Sequence, residues 1–412
     1  MSKLIDKEKD GIGLPMKWAY RPLGSIAAIT MGNSPSGESY NDDGIGVPLV
    51  NGPVEFSEGA FGLTRKVKFT TSPTKMCNAG DFLICVRGST TGRTNIASFD
   101  ACIGRGVASI RANFWQPYLN HFIRTLEKRI HASGKGSTFP SISQQQLADL
   151  SIPLPCPDDT ERSMSEQKRI ADILDKADAI RRKRQRAIGE LENYIPSLFI
   201  EMFGDPDVNP KQWEVVPISY FVQRLEGGKN FKTDDKPSAE TRYMILKVSA
   251  VTWGEYKAHE CKPVPPAFEP PRSYFVQPGD LLMSRANTRE LIGAAVYVDE
   301  TPDNIILPDK IWRFVWKQPN KVEPLFVHSL LRHPYIQGEI GRRSSGTSGS
   351  MKNIAKPKVF SIPVPLPPLS AQQGFAAQVR RIRKTQKRAL LLQNESDTLF
   401  SSLVQRAFKG VI

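Results

Sequence analysis

The sequence predicts an α+β protein with a pseudo-two-fold internal repeat: two similar α/β globular domains separated by two long helices packed as an antiparallel coiled coil. Three observations predict it. A set of landmarks occurs twice in the same order, about 200 residues apart. Short apolar runs rich in β-branched and aromatic residues lie between Gly, Pro and Asp. Two later stretches place apolar residues at alternating steps of three and four.

The landmarks define the repeat. Trp18 and Trp213 open the two modules, 195 residues apart. Gly80-Asp81 leads to Arg87, and Gly279-Asp280 leads to Arg285, at offsets of 198 to 199. Gly/Ser-rich stretches end at Ile142 and Ile354, 212 apart. Ser151-Ile-Pro-Leu-Pro155 answers Ser361-Ile-Pro-Val-Pro365. Ser165-Glu-Gln167 and Ser370-Ala-Gln372 open the helical patterns, 205 apart. The offsets drift as insertions in surface loops make them drift. The period is too long for a solenoid, so the chain reads as two copies of one module.

Within the modules, residues 82–86, 243–248, 291–298 and 311–316 are expected strands, each Gly-Asp being a turn into a buried one. Residues 117–129 and 323–332 have helical spacing. The expected order is a tail at 1–16, a globular domain at 17–155, a helical region at 156–211, a second globular domain at 212–365 and a second helical region at 366–412. Proline-rich seams precede both helical regions and make stiff, extended joints.

The first helical stripe runs Ile170, Ile173, Ala177, Ile180, Arg184, Ala187, Leu191, Tyr194, Leu198, with eight of nine positions apolar. A shift of 205 gives Phe375, Gln378, Ile382, Thr385, Ala389, Leu392, Ser396, Leu399, Leu403, with six of nine apolar. Each helix spans roughly 60 Å. Pro196 is expected to kink or break the first one. Packing the two stripes together covers both.

Composition bounds the function. The 412 residues are 40% apolar and 24% charged, as in a folded soluble protein. Fifty-six Lys and Arg against 42 Asp and Glu leave a net charge of +14. That excess predicts attraction to a polyanion. No apolar run is long enough for a spanning helix, and the first residues lack the apolar segment of a secretory signal. Five scattered cysteines fit a reducing cytoplasm better than a disulfide framework.

No catalytic constellation is expected. The nearest approach to a phosphate-binding loop, His131-Ala-Ser-Gly134-Lys135-Gly136, lacks the leading Gly and the hydroxyl after Lys. There is no Asn-Pro-Pro-aromatic segment and no Gly-rich loop for an adenosyl cofactor. Pro308-Asp309 resembles half of a nuclease carboxylate motif, but Glu255-Tyr256-Lys257 lies before it, in the wrong order. Histidines and cysteines lack zinc-ligand spacing. No metal site and no bound cofactor are expected.

The basic features point to nucleic acid. Arg181 to Arg184 with Arg186 form a basic stretch in the first helix. It reads equally well as a solvated face, because Asp172, Asp175 and Asp178 offset it. From Ser370 to Gly410 there are eight basic residues and two acidic ones, which predicts an acidic partner. Two Gly/Ser-rich loops carry Lys135, Ser137 and Thr138 in one module, and Arg342, Arg343, Ser350 and Lys352 in the other. Such groups bind phosphate oxygens. The strand ends carry Arg87, Ser89, Thr90 and Arg93, and Arg285, Asn287 and Arg289; these suit base edges and phosphates. Arg105 is a further candidate. Trp115, Trp253 and Tyr256 read mainly as core.

This ordered set resembles the specificity (S) subunit, or HsdS family, of type I restriction-modification systems. Trp18 and Trp213, Gly80-Asp81 and Gly279-Asp280, the loops ending at Ile142 and Ile354, Ile152 to Pro155 with Ser165 to Ile170, and Ile362 to Leu369 with Ala371 to Gln373 carry the resemblance. It covers nearly the whole chain. The second helix departs from it, having Ala-Gln-Gln where the family has an acidic residue before Gln.

The resemblance implies a noncatalytic cytoplasmic protein of host defence. Its two globular domains would be target-recognition domains, each reading one half of a bipartite, asymmetric double-stranded DNA site. The helices would set the spacing and dock two methyltransferase (M) subunits; restriction/translocase (R) subunits would cleave. S-adenosylmethionine, ATP and Mg would belong to those partners, and no membrane is involved. DNA advances about 34 Å per turn, so helices of roughly 60 Å suit two readers on one face of the duplex. Rival readings are a basic coiled-coil adaptor for an acidic protein and a divergent DNA-modifying enzyme.

Overall fold

The computed structural model describes residues 18–57, 59, 61–127, 130, 141–231, 241–318, 321–346 and 351–412. The expected N-terminal tail lies outside them. The chain forms two compact units. Unit one comprises the residues up to Gln185 together with Leu392–Ile412, and unit two comprises Arg186–Leu391. Each therefore combines one globular domain with stretches of both long helices.

Unit one is built on a four-stranded antiparallel sheet in the order Ala27–Met31, Val107–Ala112, Phe82–Cys85, Thr94–Ile96. Phe82, Leu83, Ile84 and Cys85 are all buried, because both faces of this inner strand are covered. A second sheet holds Val47–Val50 parallel to Ala101–Ile103. Trp18–Pro22 pairs with Ser151–Pro155. The helix Gln116–Thr125 carries Tyr118, Leu119 and Ile123 into the core.

Unit two repeats this plan. Its four-stranded sheet runs Val222–Glu226, Ile311–Trp316, Leu281–Ser284, Ala295–Tyr297. Met244–Leu246 runs parallel to Ile305–Ile306, and Glu214–Pro217 pairs with Pro363–Leu366. Its core helix is Pro324–Arg332.

The registers correct two of the alignments drawn from sequence. Leu23 N donates to Leu150 O at 2.8 Å, and Ile218 N donates to Ile362 O at 3.0 Å. Leu150 thus corresponds to Ile362, and Ser151 corresponds to Pro363 rather than Ser361. The Ile-Pro-hydrophobic-Pro likeness had slipped by two residues, because alternating prolines match themselves at that shift.

The long helices span Thr160–Phe203 and Leu369–Phe408. Pro196 does not break the first one. Its ring lies on an exposed part of the helix. In unit one the helices run antiparallel. Arg181 Nη1 meets Asp397 Oδ1 at 3.3 Å, while Arg184 Nη1 donates to Leu392 O at 3.4 Å. In unit two, Phe199 and Phe203 pack on Phe375, with centroids 5.8 and 5.4 Å apart.

The buried stripe differs from the expected one. Ile170, Leu198, Phe375 and Ile382 are buried; Ile173, Ala177, Leu191 and Leu403 are half-buried. Ile180, Leu392 and Leu399 are instead exposed, at 55%, 42% and 69%. The covered positions are Leu174, Asp178 and Ile188 in the first helix, and Val379, Gln393 and Val404 in the second. Each helix packs on its globular domains as well as on its partner. The stripe therefore follows the 3.6-residue period of a helix on a globular core rather than a strict 3.5-residue seam.

Two buried glutamines join helix to domain. Gln167 Oε1 accepts from Trp115 N at 3.2 Å, at the start of the helix Gln116–Thr125. Gln372 Oε1 accepts from Glu323 N at 3.0 Å, at the start of Pro324–Arg332. Each satisfies one donor that a helix N-terminus leaves orphaned. This is the structural content of the repeated Ser-x-Gln.

Candidate nucleic-acid interface

In unit one, the strand Phe82–Cys85 delivers the chain to a tight turn. Thr91 N and Oγ1 both donate to Gly88 O, at 3.1 and 2.7 Å, and Gly92 N returns to Cys85 O at 2.8 Å. Arg87 and Ser89 are exposed on this tip; Thr90 and Arg93 are half-buried. Val86 N donates to Gly106 O at 2.8 Å, and Val86 O accepts from Ile142 N at 2.9 Å. Three segments thus converge on one strand end. Exposed Arg105 lies on the Gly104–Gly106 turn. Gly32 makes the approach possible: a Cβ there would lie 2.2 Å from Gly104 O and 2.7 Å from Val107 O.

Unit two builds the same junction from different residues. Arg285 N donates to Lys310 O at 3.0 Å, and Arg285 O accepts from Ile354 N at 3.0 Å. These bonds match those of Val86, so Arg285 corresponds to Val86 and Arg87 corresponds to Ala286. The equation of Arg87 with Arg285 was one residue out. Asn287 lies opposite Lys352 on a short strand pair. The Arg285 guanidinium carbon lies 5.9 Å from the centre of the Trp312 ring, and Lys356 Nζ lies 5.6 Å from it.

Several expected binders have internal partners. Asn287 Nδ2 donates to Thr252 Oγ1 at 3.3 Å, and its Oδ1 accepts from Thr288 N at 2.9 Å. Its amide braces a loop rather than facing a ligand. Arg342 and Arg343 both pair with Glu339 on their own helix. Lys352 Nζ donates to Gly346 O at 2.7 Å. Arg289 is exposed. Lys135, Ser137, Thr138 and Ser350 lie outside the described residues. Trp253, read as core, is 67% exposed, while Trp115 and Tyr256 are half-buried. Trp312, Lys310 and Lys356 were not among the expected residues. Their signal was the strand run Ile311 to Trp316, read for its fold alone, and a Lys-Pro just past Ile354.

The helical charges also find partners. Asp178, 1% exposed, binds Arg124, Arg181 and Arg182 at 3.3, 3.0 and 2.9 Å. Burial alone would raise its pKa, but the three guanidinium groups hold it below the usual carboxylate range. Arg380, Arg383 and Lys387 pair with Glu323, Asp299 and Glu300 at 2.7, 2.8 and 2.7 Å. The acidic groups expected of an outside partner are thus met in part within unit two. Arg381, Lys384 and Arg388 are exposed. Among the described residues, no group of three His, Cys, Asp or Glu is placed to hold a metal, and no helix is long and apolar enough to cross a membrane.

Comparison with known proteins follows the same lines. A family model described as the type I restriction modification DNA specificity domain matches residues 15–192. The chain is 32% identical over 199 residues to the putative type I restriction enzyme MjaX specificity subunit of Methanocaldococcus jannaschii, covering 47% of this chain and 45% of that one. That alignment spans less than half of the relative's length. The MjaVIII specificity subunit of the same organism is 22% identical over 394 residues, covering 91% of this chain and 88% of its own. The crystal structure of a type I restriction-modification S subunit from M. genitalium shares the fold, with a TM-score of 0.59 at 14% identity and 98% of both chains covered. Residues 15–192 thus match the type I restriction modification DNA specificity domain, and the chain is similar over most of its length to type I restriction enzyme specificity subunits.

Proposed function

We propose that the chain supplies the DNA sequence specificity of a type I restriction-modification complex and catalyses no step itself. Each unit reads one half of a bipartite, asymmetric duplex site. The long helices set the gap and dock two methyltransferase subunits; restriction/translocase subunits complete the assembly in the cytoplasm. S-adenosylmethionine, ATP and Mg belong to those partners.

One observation carries this reading. The same strand-end junction occurs in both units, held by equivalent backbone bonds, yet its side chains differ: Val86, Arg87 and Arg105 in one, Arg285, Ala286 and Asp309 in the other. A constant frame with variable tips is what two readers of different sequences need. The net charge of +14 supplies attraction to the duplex.

Methylome sequencing of cells with and without the gene tests the reading. The expected result is loss of one methylated motif made of two different halves separated by a fixed gap. An unchanged methylome in cells that retain the methyltransferase overturns it.

A further inference from the structure

We infer that Arg285 and Lys356, gathered on the Trp312 ring, form a seat for a backbone phosphate of DNA in unit two. The inference rests on the DNA-reading role proposed above. Two cations share one indole, at 5.9 and 5.6 Å from its centre. Trp312 is 3% exposed, so the ring is a fixed platform rather than a mobile flap. Cation–π attraction holds both charges over it but neutralises neither.

Neither cation forms an ion pair among the described residues. Arg285 Nε is buried without a hydrogen-bond partner. Asp309 Oδ1 is likewise buried and unpartnered. Two cations without a counter-ion attract an anion. An acceptor-rich anion fits, and the amide that could have read a base, Asn287, is engaged elsewhere.

The sister unit shows that these residues are not required by the fold. Arg285 corresponds to Val86 through their matched backbone bonds. Trp312 lies opposite Met283, as Ala108 lies opposite Ile84, so Trp312 corresponds to Ala108. Lys356 and Gln144 each open the short helix that follows the junction. One scaffold thus folds with Val, Ala and Gln in unit one and carries two cations on an indole in unit two.

The test uses the full chain, a fluorescein-labelled mixed-sequence duplex of about 30 base pairs, and binding anisotropy across a series of NaCl concentrations. Arg285→Val and Lys356→Gln install the residues of the sister unit. Each is expected to lower the slope of log K against log salt by about 0.9 and to weaken duplexes of different sequence by the same factor. Arg285→Lys is expected to keep the slope. Lys356 is exposed, so its variant reads the effect even where Arg285→Val does not fold. An unchanged slope in both variants, or a loss confined to particular sequences, overturns the seat. A wild-type chain with no salt-dependent duplex binding overturns the DNA-reading role along with it.

Discussion

Arg111 clamps Asp81 at two points, Nε to Oδ1 at 2.7 Å and Nη2 to Oδ2 at 2.9 Å. The same carboxylate accepts from Asn78 N at 2.9 Å and from Ser109 Oγ at 2.7 Å. In unit two, Asp280 accepts from Gln277 N at 2.9 Å and from Arg313 Nη1 at 3.3 Å. Burial pushes Asp280 above the usual carboxylate range, against the pull of the Gln277 N–H and of Arg313. The Gly-Asp of each module is therefore a turn whose carboxylate ties the inner strand to its neighbour. Asp81→Ala leaves the Asn78 and Ser109 donors unpaired and is expected to cost about 3 kcal/mol in urea unfolding. A loss within about 0.5 kcal/mol, the range of ordinary surface substitutions, would contradict this role.

The two buried glutamines allow a paired experiment. Gln167→Ala and Gln372→Ala each expose an orphaned N–H at the start of a core helix. Each is expected to destabilise its own unit by about 1–3 kcal/mol. Hydrogen exchange should localise the change to residues 115–125 in one variant and 323–332 in the other. Loss spread evenly over both units in either variant would show that the glutamines are not local ties.

Much of this fold is legible in sequence because the repeat multiplies weak signals. Gly80-Asp81 alone is a common turn; its recurrence at Gly279-Asp280 before a second apolar run makes it a landmark. Registers were less legible. Ser151-Ile-Pro-Leu-Pro155 aligns with Ser361 or with Pro363 equally well by residue type, and only the Leu150 and Ile362 carbonyls decide. The helical stripe was misplaced for a related reason. Ile180, Leu392 and Leu399 satisfy a coiled-coil period, but Asp178 is the buried group, held by three arginines that lie outside any apolar pattern. At the junctions, exposed Arg87 and Arg105 were identified from residue type, whereas the engagement of Asn287 by Thr252 and the gathering of Arg285 and Lys356 on Trp312 arise from residues far apart in the chain.

Close backbone approach at the junction makes two glycines sensitive. A Cβ on Gly32 meets the carbonyls of Gly104, Ile103 and Val107, and one on Gly228 lies 1.8 Å from Leu307 O. Backbone cannot step aside as a side chain can. Gly32→Ala and Gly228→Ala are each expected to cost more than about 1 kcal/mol and to weaken DNA binding. Gly37→Ala, where nothing lies within 4 Å, is the matched control and should leave both unchanged. Equal melting temperatures for the three variants would contradict the crowding.

Unit two should weaken on mild acidification. His328 is buried, with Nε2 unpartnered and Nδ1 3.4 Å from Arg383 Nη2. Burial, then the charges of Arg383 and Arg332, hold its pKa well below 6.5. The native ring therefore stays neutral where the unfolded ring binds a proton. Its stability contribution is intact above pH 6.5 and is lost as the pH falls below that value toward the depressed native pKa. His328→Gln should flatten that part of the stability profile between about pH 6.5 and 5. An equally steep decline in the variant would place the titrating group elsewhere.

Arg105 provides the functional test for unit one. It is exposed on a turn whose flanking glycines leave no room for other side chains, since a Cβ on Gly104 would strike Asn51 Oδ1 and one on Gly106 would lie 2.7 Å from Asn51 O. The turn is thus fixed while the side chain is free to reach a groove. Arg105→Gln removes a charged fork that matches guanine O6 and N7. The expected loss is about 1–3 kcal/mol at one base pair, or roughly five- to 150-fold in discrimination. Unit two has its own core, so its half-site should be read unchanged. Methylome sequencing of cells carrying Arg105→Gln should show one half of the motif relaxed at a single position, with the other half and the gap intact. Uniform loss of methylation at every site would make Arg105 a general DNA contact, and relaxation in both halves would contradict the assignment of one half-site to each unit.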